Sequence, residues 1–133
     1  MARGSAGSET PTVFFSHWLP VIAYISIIFV LSAQPHLQPP LHFLNSDKLM
    51  HLCEYGGLGL LLGRAVRRSR PGRTAMWAAL ATLAVGALIA AGDENFQRLI
   101  PGRSCDLFDW LADCTGLTLA QIVYVAFARD AES

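Results

Sequence analysis

The sequence predicts an all-α integral membrane protein, a bundle of four transmembrane helices with a polar cluster near the outer face of the membrane. Two observations support this fold class. Of the 133 residues, 53% are hydrophobic and only 15% are charged, whereas soluble domains carry about 25% charged residues. The charged residues also avoid three long apolar runs and gather where apolar runs begin or end. Because ionisable groups at membrane depth are costly, those that occur there are candidates for a functional site.

Four segments are long enough to cross a bilayer, which takes about 20 residues of helix. The predicted helices cover residues 13–33, 47–66, 74–97 and 106–128. The third carries no charge over most of its length and is the clearest span. The second is the least apolar, because a histidine and a glutamate lie inside it. The fourth is long enough only when its acidic first turns are counted.

Residues 1–12 are predicted to be a disordered cytoplasmic tail, and residues 13–129 to form a single membrane domain. The first apolar run could instead be a signal peptide that is cleaved after Ala33. A signal peptide has a basic start and an apolar stretch of about 7–15 residues. This run is longer, follows only one arginine, and has Leu31 rather than a small residue three positions before the break. The pattern favours an uncleaved anchor.

Orientation follows from the arginines, because positively charged loops stay in the cytoplasm. Five arginines lie at and after the end of the second helix, and another follows the last helix: Arg64, Arg67, Arg68, Arg70, Arg73 and Arg129. We therefore predict a multi-pass protein of the plasma membrane with both termini in the cytoplasm. The arginine-rich stretch has no interleaved aromatic residues, so nucleic acid is not predicted as a partner.

Polar side chains form a stripe on each of three predicted helices. Asp106, Asp109 and Asp113 recur at i, i+3 and i+7, which places them on one helical face. Lipid can satisfy none of these groups, so we expect the stripes to face one another. The predicted ligand-binding residues are Asp47, Lys48, His51, Asp93, Glu94, Gln97, Arg98, Arg103, Asp106, Asp109 and Asp113.

A simpler explanation covers part of this pattern. Acidic residues in the first turn of a helix interact favourably with the helix dipole. That explains Asp47 and Asp106 without a site. It does not explain Glu54 or Asp113, which lie further along their helices.

Three parts of the chain resemble patterns of the VanZ-like family. Residues 46–55 (SDKLMHLCEY) resemble its D-K-x-x-H-x-x-x-Y signature, and residues 31–35 (LSAQP) resemble its LSxxP exit from the first span. A later part of the chain resembles the family's second signature. It contains D-E-x-x-Q at 93–97, P-G-R at 101–103, and Asp106, Asp109, Asp113 and Gly116.

The resemblance implies a small membrane protein of three to five spans. It also implies a link to low-level resistance to the glycopeptide teicoplanin, with which the founding member is associated. The family's molecular activity is not established. One position departs from the family pattern: Asp113 stands where an amide is expected, so it could donate a hydrogen bond only when protonated.

Three classes of function remain open from the sequence. In the first, the protein binds a polar or anionic headgroup at the extracytoplasmic leaflet. Lys48, Arg98 and Arg103 would then hold phosphate. The partner would be a membrane lipid, a lipid-linked cell-wall precursor or a glycopeptide.

The second class is an enzyme that acts on such a lipid. The catalytic candidates are His51, Glu54, Glu94 and Asp109, which could serve in acid–base chemistry. Of these, His51, Glu94 and Asp109 are also the candidates for binding a divalent cation. No other cofactor is predicted, and nothing resembles a nucleophile elbow, a phosphate loop or an HExxH motif.

The third class is a structural scaffold, in which the polar network only locks the helices or supports a partner membrane protein. The sequence does not choose between binding, catalysis and scaffolding. It also leaves the ligand and the oligomeric state open.

Overall fold

The structure is a computed structural model that describes residues 11–35 and 45–130, with side chains over residues 14–35 and 45–127. Residues 1–10 of the predicted tail lie outside the described residues. Four α-helices form the described part of the chain: α1 (Pro11–Ser32), α2 (Ser46–Ser69), α3 (Ala75–Gln97) and α4 (Leu107–Asp130). The all-α prediction is confirmed. Each helix ends within a few residues of its predicted bounds, and the last two residues of the predicted tail are helical.

Three of the helices have the length and apolar composition of membrane spans. These stretches are Phe14–Ser32 in α1, Ala75–Gln97 in α3 and Leu107–Phe127 in α4. Helix α2 is not among them, because charged residues occur near both of its ends. Its 24 residues would still extend about 36 Å, which exceeds a hydrocarbon layer of about 30 Å. The chain is therefore a membrane protein by these criteria, and its fourth span stays a prediction.

Helix α2 is the centre of the bundle and packs against each of the other three helices, most extensively against α4. Glycines make this approach close. A Cβ atom on Gly59 would lie 2.9 Å from the Cβ of Ala120 and 3.3 Å from the Cα of Leu117. Gly59 and Gly63 have the GxxxG spacing that lets membrane helices approach at the backbone.

Consecutive helices run antiparallel, so the end of one helix lies beside the start of the next. The end of α1, the start of α2, the end of α3 and the start of α4 form what we call the polar end. The opposite end, which we call the arginine end, contains the turn between α2 and α3. There the indole Nε1 of Trp18 donates to Ser69 Oγ at 2.8 Å and ties the start of α1 to the end of α2. The outer surface of the bundle is apolar, as at Phe15, Leu88 and Phe127.

Candidate functional site

Lys48 joins the first turns of α2 and α4 at the polar end. Its Nζ donates to Asp109 Oδ1 at 2.9 Å, to Asp47 Oδ2 at 3.1 Å and to Asp106 Oδ2 at 3.4 Å. The contact forms because Lys48 follows the start of α2 while Asp106 and Asp109 flank the start of the antiparallel α4. The ammonium is therefore already surrounded by carboxylates.

His51 lies one helical turn further along α2 and meets acidic residues from two other helices. Its Nδ1 is 3.0 Å from Asp113 Oδ1, a hydrogen bond in which the ring N–H donates to the fully buried carboxylate. The Nδ1 atom is 4.0 Å from Glu94 Oε1, and Nε2 is 3.8 Å from Asp109 Oδ2. The imidazole thus stands where α2, α3 and α4 converge.

A neighbouring set of polar contacts links α1, α2 and α3. The hydroxyl of Tyr55 donates to Asp93 Oδ2 at 3.4 Å, and Gln97 Nε2 donates to Ser32 Oγ at 3.5 Å. All four of these residues are buried. The face of α3 that carries Asp93 and Gln97 therefore turns inward.

The connection between α3 and α4 is fixed to the site by a carboxylate. Glu94 Oε2 accepts a hydrogen bond from the backbone N–H of Asp106 at 3.0 Å. Asp106 in turn caps the start of α4, since its Oδ1 accepts from the N–H of Phe108 at 2.9 Å. The turn between them contains Gly102 at a φ of 80°, a conformation that favours glycine. This turn brings Arg103 back towards α2.

A cavity of about 90 Å³ opens beside the network. A buried water needs about 10–15 Å³ of such volume, so the cavity can hold several waters or one compact polar group. It is lined by residues of α1, α2 and the α3–α4 connection: Leu31, Ser32, Asp47, Met50, His51, Glu54 and Arg103. Its polar lining carries both signs of charge.

Several buried polar atoms of the site have no hydrogen-bond partner among the described residues. These atoms are Asp93 Oδ1, Glu94 Oε1, Asp113 Oδ2 and Arg103 Nε. Buried polar groups in proteins nearly always have a partner, so the network retains acceptor and donor capacity after its internal bonds are formed. A polar ligand or a cation could use that capacity.

All but one of the sequence-predicted residues fall into three groups. One network contains Asp47, Lys48, His51, Glu94, Asp106, Asp109 and Asp113. Arg103 and Glu54 lie on the cavity beside it, and Asp93 and Gln97 lie in the neighbouring set of contacts. Arg98 does not join them: it follows the last residue of α3, is exposed, and forms no ion pair among the described residues.

Sequence reasoning assigned no site role to Tyr55 or Ser32. The spacing of the sequence does indicate Tyr55, because Tyr55 lies four residues after His51 and therefore on nearly the same side of α2. No periodicity signals Ser32, because its neighbours in α1 are apolar and its partner Gln97 comes from a distant helix.

The sequence profile of the VanZ/LLP1 family matches residues 10–128 of this chain. The chain belongs to the VanZ/LLP1 family. The resemblance seen in the two signatures is thereby confirmed, and the match covers every residue of the site in this VanZ/LLP1 protein. No curated protein and no solved structure matches the chain.

Proposed function

We propose that this VanZ/LLP1 protein binds the polar headgroup of a membrane lipid or of a lipid-linked cell-envelope intermediate in the cavity at the polar end. The observation that carries the proposal is the mixed charge of the cavity lining, where the guanidinium of Arg103 occurs with the carboxylates of Asp47 and Glu54. Guanidinium is suited to phosphate, and carboxylates accept hydrogen bonds from hydroxyl or ammonium groups. A headgroup that combines these groups would find a partner for each.

Arg103 is the cation that best fits the phosphate of such a headgroup. Lys48 is already in contact with three carboxylates, and Arg98 is exposed away from the network. Arg103 lines the cavity, and its buried Nε has no hydrogen-bond partner among the described residues. A phosphate oxygen would satisfy that donor.

The site would act at the extracytoplasmic leaflet of the plasma membrane. The arginines of the opposite end favour a cytoplasmic location for the α2–α3 turn and for both termini. The cavity would then lie near the outer headgroups, beside the apolar outer surface of α1 where an acyl chain could run. Tolerance to a glycopeptide such as teicoplanin would follow if the headgroup belonged to a cell-wall precursor.

Lipid retention by two arginine variants tests the proposal. We expect Arg103→Met to retain about tenfold less of the co-purifying lipid than the wild-type protein, the loss that corresponds to about 1.4 kcal/mol. Arg98→Met is the matched control, because it removes the same charge five residues away from an exposed position. Bound lipid is measured by mass spectrometry of the detergent-purified protein. Equal lipid retention by both variants would contradict the proposal.

The extensive internal pairing of Lys48 and His51 favours a second candidate, a scaffold whose network only locks the helices. Glu54→Gln separates the two, because the Glu54 side chain lines the cavity but makes no hydrogen bond among the described residues. Headgroup binding predicts altered glycopeptide tolerance at unchanged abundance in the membrane. A scaffold predicts no effect of Glu54→Gln, while His51→Gln, which removes an imidazole from the network, lowers abundance and phenotype together.

A further inference from the structure

Three side chains from three different helices bring their donor atoms into one small volume. One ligand atom each from His51, Glu94 and Asp109 lies within 4.8 Å of the other two. Donors to zinc lie about 2.0–2.2 Å from the ion, so two donors on the same ion are about 3–4.4 Å apart. We infer that these three residues bind a first-row divalent cation, Mn²⁺ or Zn²⁺.

Glu94 provides an observation that is independent of the clustering. Its side chain is 3% exposed, and its two oxygens have different surroundings. Oε2 accepts the backbone N–H of Asp106, whereas Oε1 has no hydrogen-bond partner among the described residues. Oε1 lies 4.0 Å from Nδ1 of His51, on the side of the ring that also meets Asp113. A buried carboxylate oxygen without a partner costs stability, and a cation at this point would remove that cost.

The two aspartates on α4 leave the imidazole able to coordinate. Asp113 is fully buried and accepts from Nδ1 of His51 at 3.0 Å, which leaves the lone pair on Nε2. A histidine that binds a metal commonly donates its other N–H to a carboxylate in this way. Asp109 uses Oδ1 to bind Lys48 and keeps Oδ2 at 3.8 Å from Nε2.

The donor set determines the class of ion. Calcium and magnesium favour all-oxygen coordination, whereas an imidazole nitrogen with two carboxylates suits Mn²⁺ or Zn²⁺. Three protein donors also leave coordination positions open for water or another ligand. Of the three residues only His51 also lines the headgroup cavity, and the argument for the metal does not use that cavity, so this inference does not rest on the proposed function.

Metal binding by the purified full chain tests the site directly. Chelator-treated protein in detergent is dialysed against Mn²⁺ or Zn²⁺, and bound metal is measured by elemental analysis. We expect a single saturable site, with affinity at least about tenfold weaker in Glu94→Gln and in Asp109→Asn, since even outer-shell changes cost that much. Asn95→Ala is the control: Asn95 is adjacent to Glu94 in sequence, but it is exposed and its side chain donates to Ala91 O of its own helix. Its affinity should stay within about threefold of the wild type, well inside the tenfold loss that marks a ligand.

A spectroscopic measurement on the wild-type protein avoids any dependence on variants that fail to fold. Pulsed electron paramagnetic resonance of the Mn²⁺-loaded protein should show coupling to one imidazole nitrogen, which folded His51→Gln should lose. The inference is overturned if the wild type has no saturable site, if the nitrogen coupling is absent, or if Asn95→Ala weakens binding as much as Glu94→Gln does.

Discussion

The two ends of the bundle are both rich in charge but place it differently. At the polar end, Asp93, Glu94 and Asp113 are 1%, 3% and 0% exposed. At the arginine end, most of the guanidinium-bearing residues, such as Arg68 and Arg70, are exposed. Exposed charges are solvated and influence mainly orientation in the membrane, whereas buried charges must be compensated by partners. The burial of charge, rather than its amount, therefore distinguishes the candidate site.

Helix packing explains why the ends differ. The glycine-bearing face of α2 brings α4 close enough for Lys48 and His51 to reach acidic residues of α4. At the arginine end most of the arginines are exposed, and the guanidinium of Arg73 lies 5.4 Å from the ring centre of Trp77. Three predictions test this comparison.

The largest expected effect concerns which end faces the cytoplasm. In a background without the native cysteines, Ser104→Cys should react with a membrane-impermeant thiol reagent in intact cells, and Arg70→Cys should react only after lysis. Both positions are exposed, so accessibility is decided by the side of the membrane. The reverse labelling pattern would place the polar end in the cytoplasm. The background substitutions are Cys53→Ala, Cys105→Ser and Cys114→Ala.

The next effect contrasts a buried acid with an exposed base. Asp113→Ala should lower the free energy of unfolding by about 3 kcal/mol, because removal of one partner leaves a buried polar group uncompensated. Arg68→Ala, an exposed change at the arginine end, should change it by less than about 0.5 kcal/mol. Thermal unfolding in detergent measures both. Comparable losses in the two variants would mean that charge burial does not distinguish the ends.

The smallest effect concerns the close approach of α2 and α4. Gly116→Ala should destabilise the protein by about 2 kcal/mol, because the new Cβ would collide with the backbone oxygen of Leu52 and lie 2.9 Å from Gly56 N. Gly92→Ala is the control on α3, since apart from the nearby backbone of its own helix no described atom lies within 4 Å of its new Cβ, and alanine is the better helix former. If Gly116→Ala were as stable as the wild type, the close packing of α2 on α4 would not be what positions the site.

The sequence predicts those features of the structure that depend on composition and on the spacing of residues along a helix. Apolar length gives α1, α3 and α4, and the i, i+3, i+7 spacing of Asp106, Asp109 and Asp113 predicts that these aspartates share one face of α4. The contacts between distant helices carry no local signal. Sequence could not show that Lys48 would be surrounded by carboxylates. It also could not show that Arg98, one residue past α3, would be exposed while Arg103 returned to the cavity.

The hydrogen bond from Asp106 N–H to Glu94 has a practical consequence for where foreign sequence can be inserted. An epitope tag placed within residues 98–106 would separate Arg103 from the cavity and disturb the start of α4. Residues 70–74 are exposed, and Gly72 has no neighbouring atom within 4 Å of a Cβ built on it. Exposed turns of this kind tolerate insertions best, so a fluorescent or affinity label for following the protein in cells belongs at Gly72.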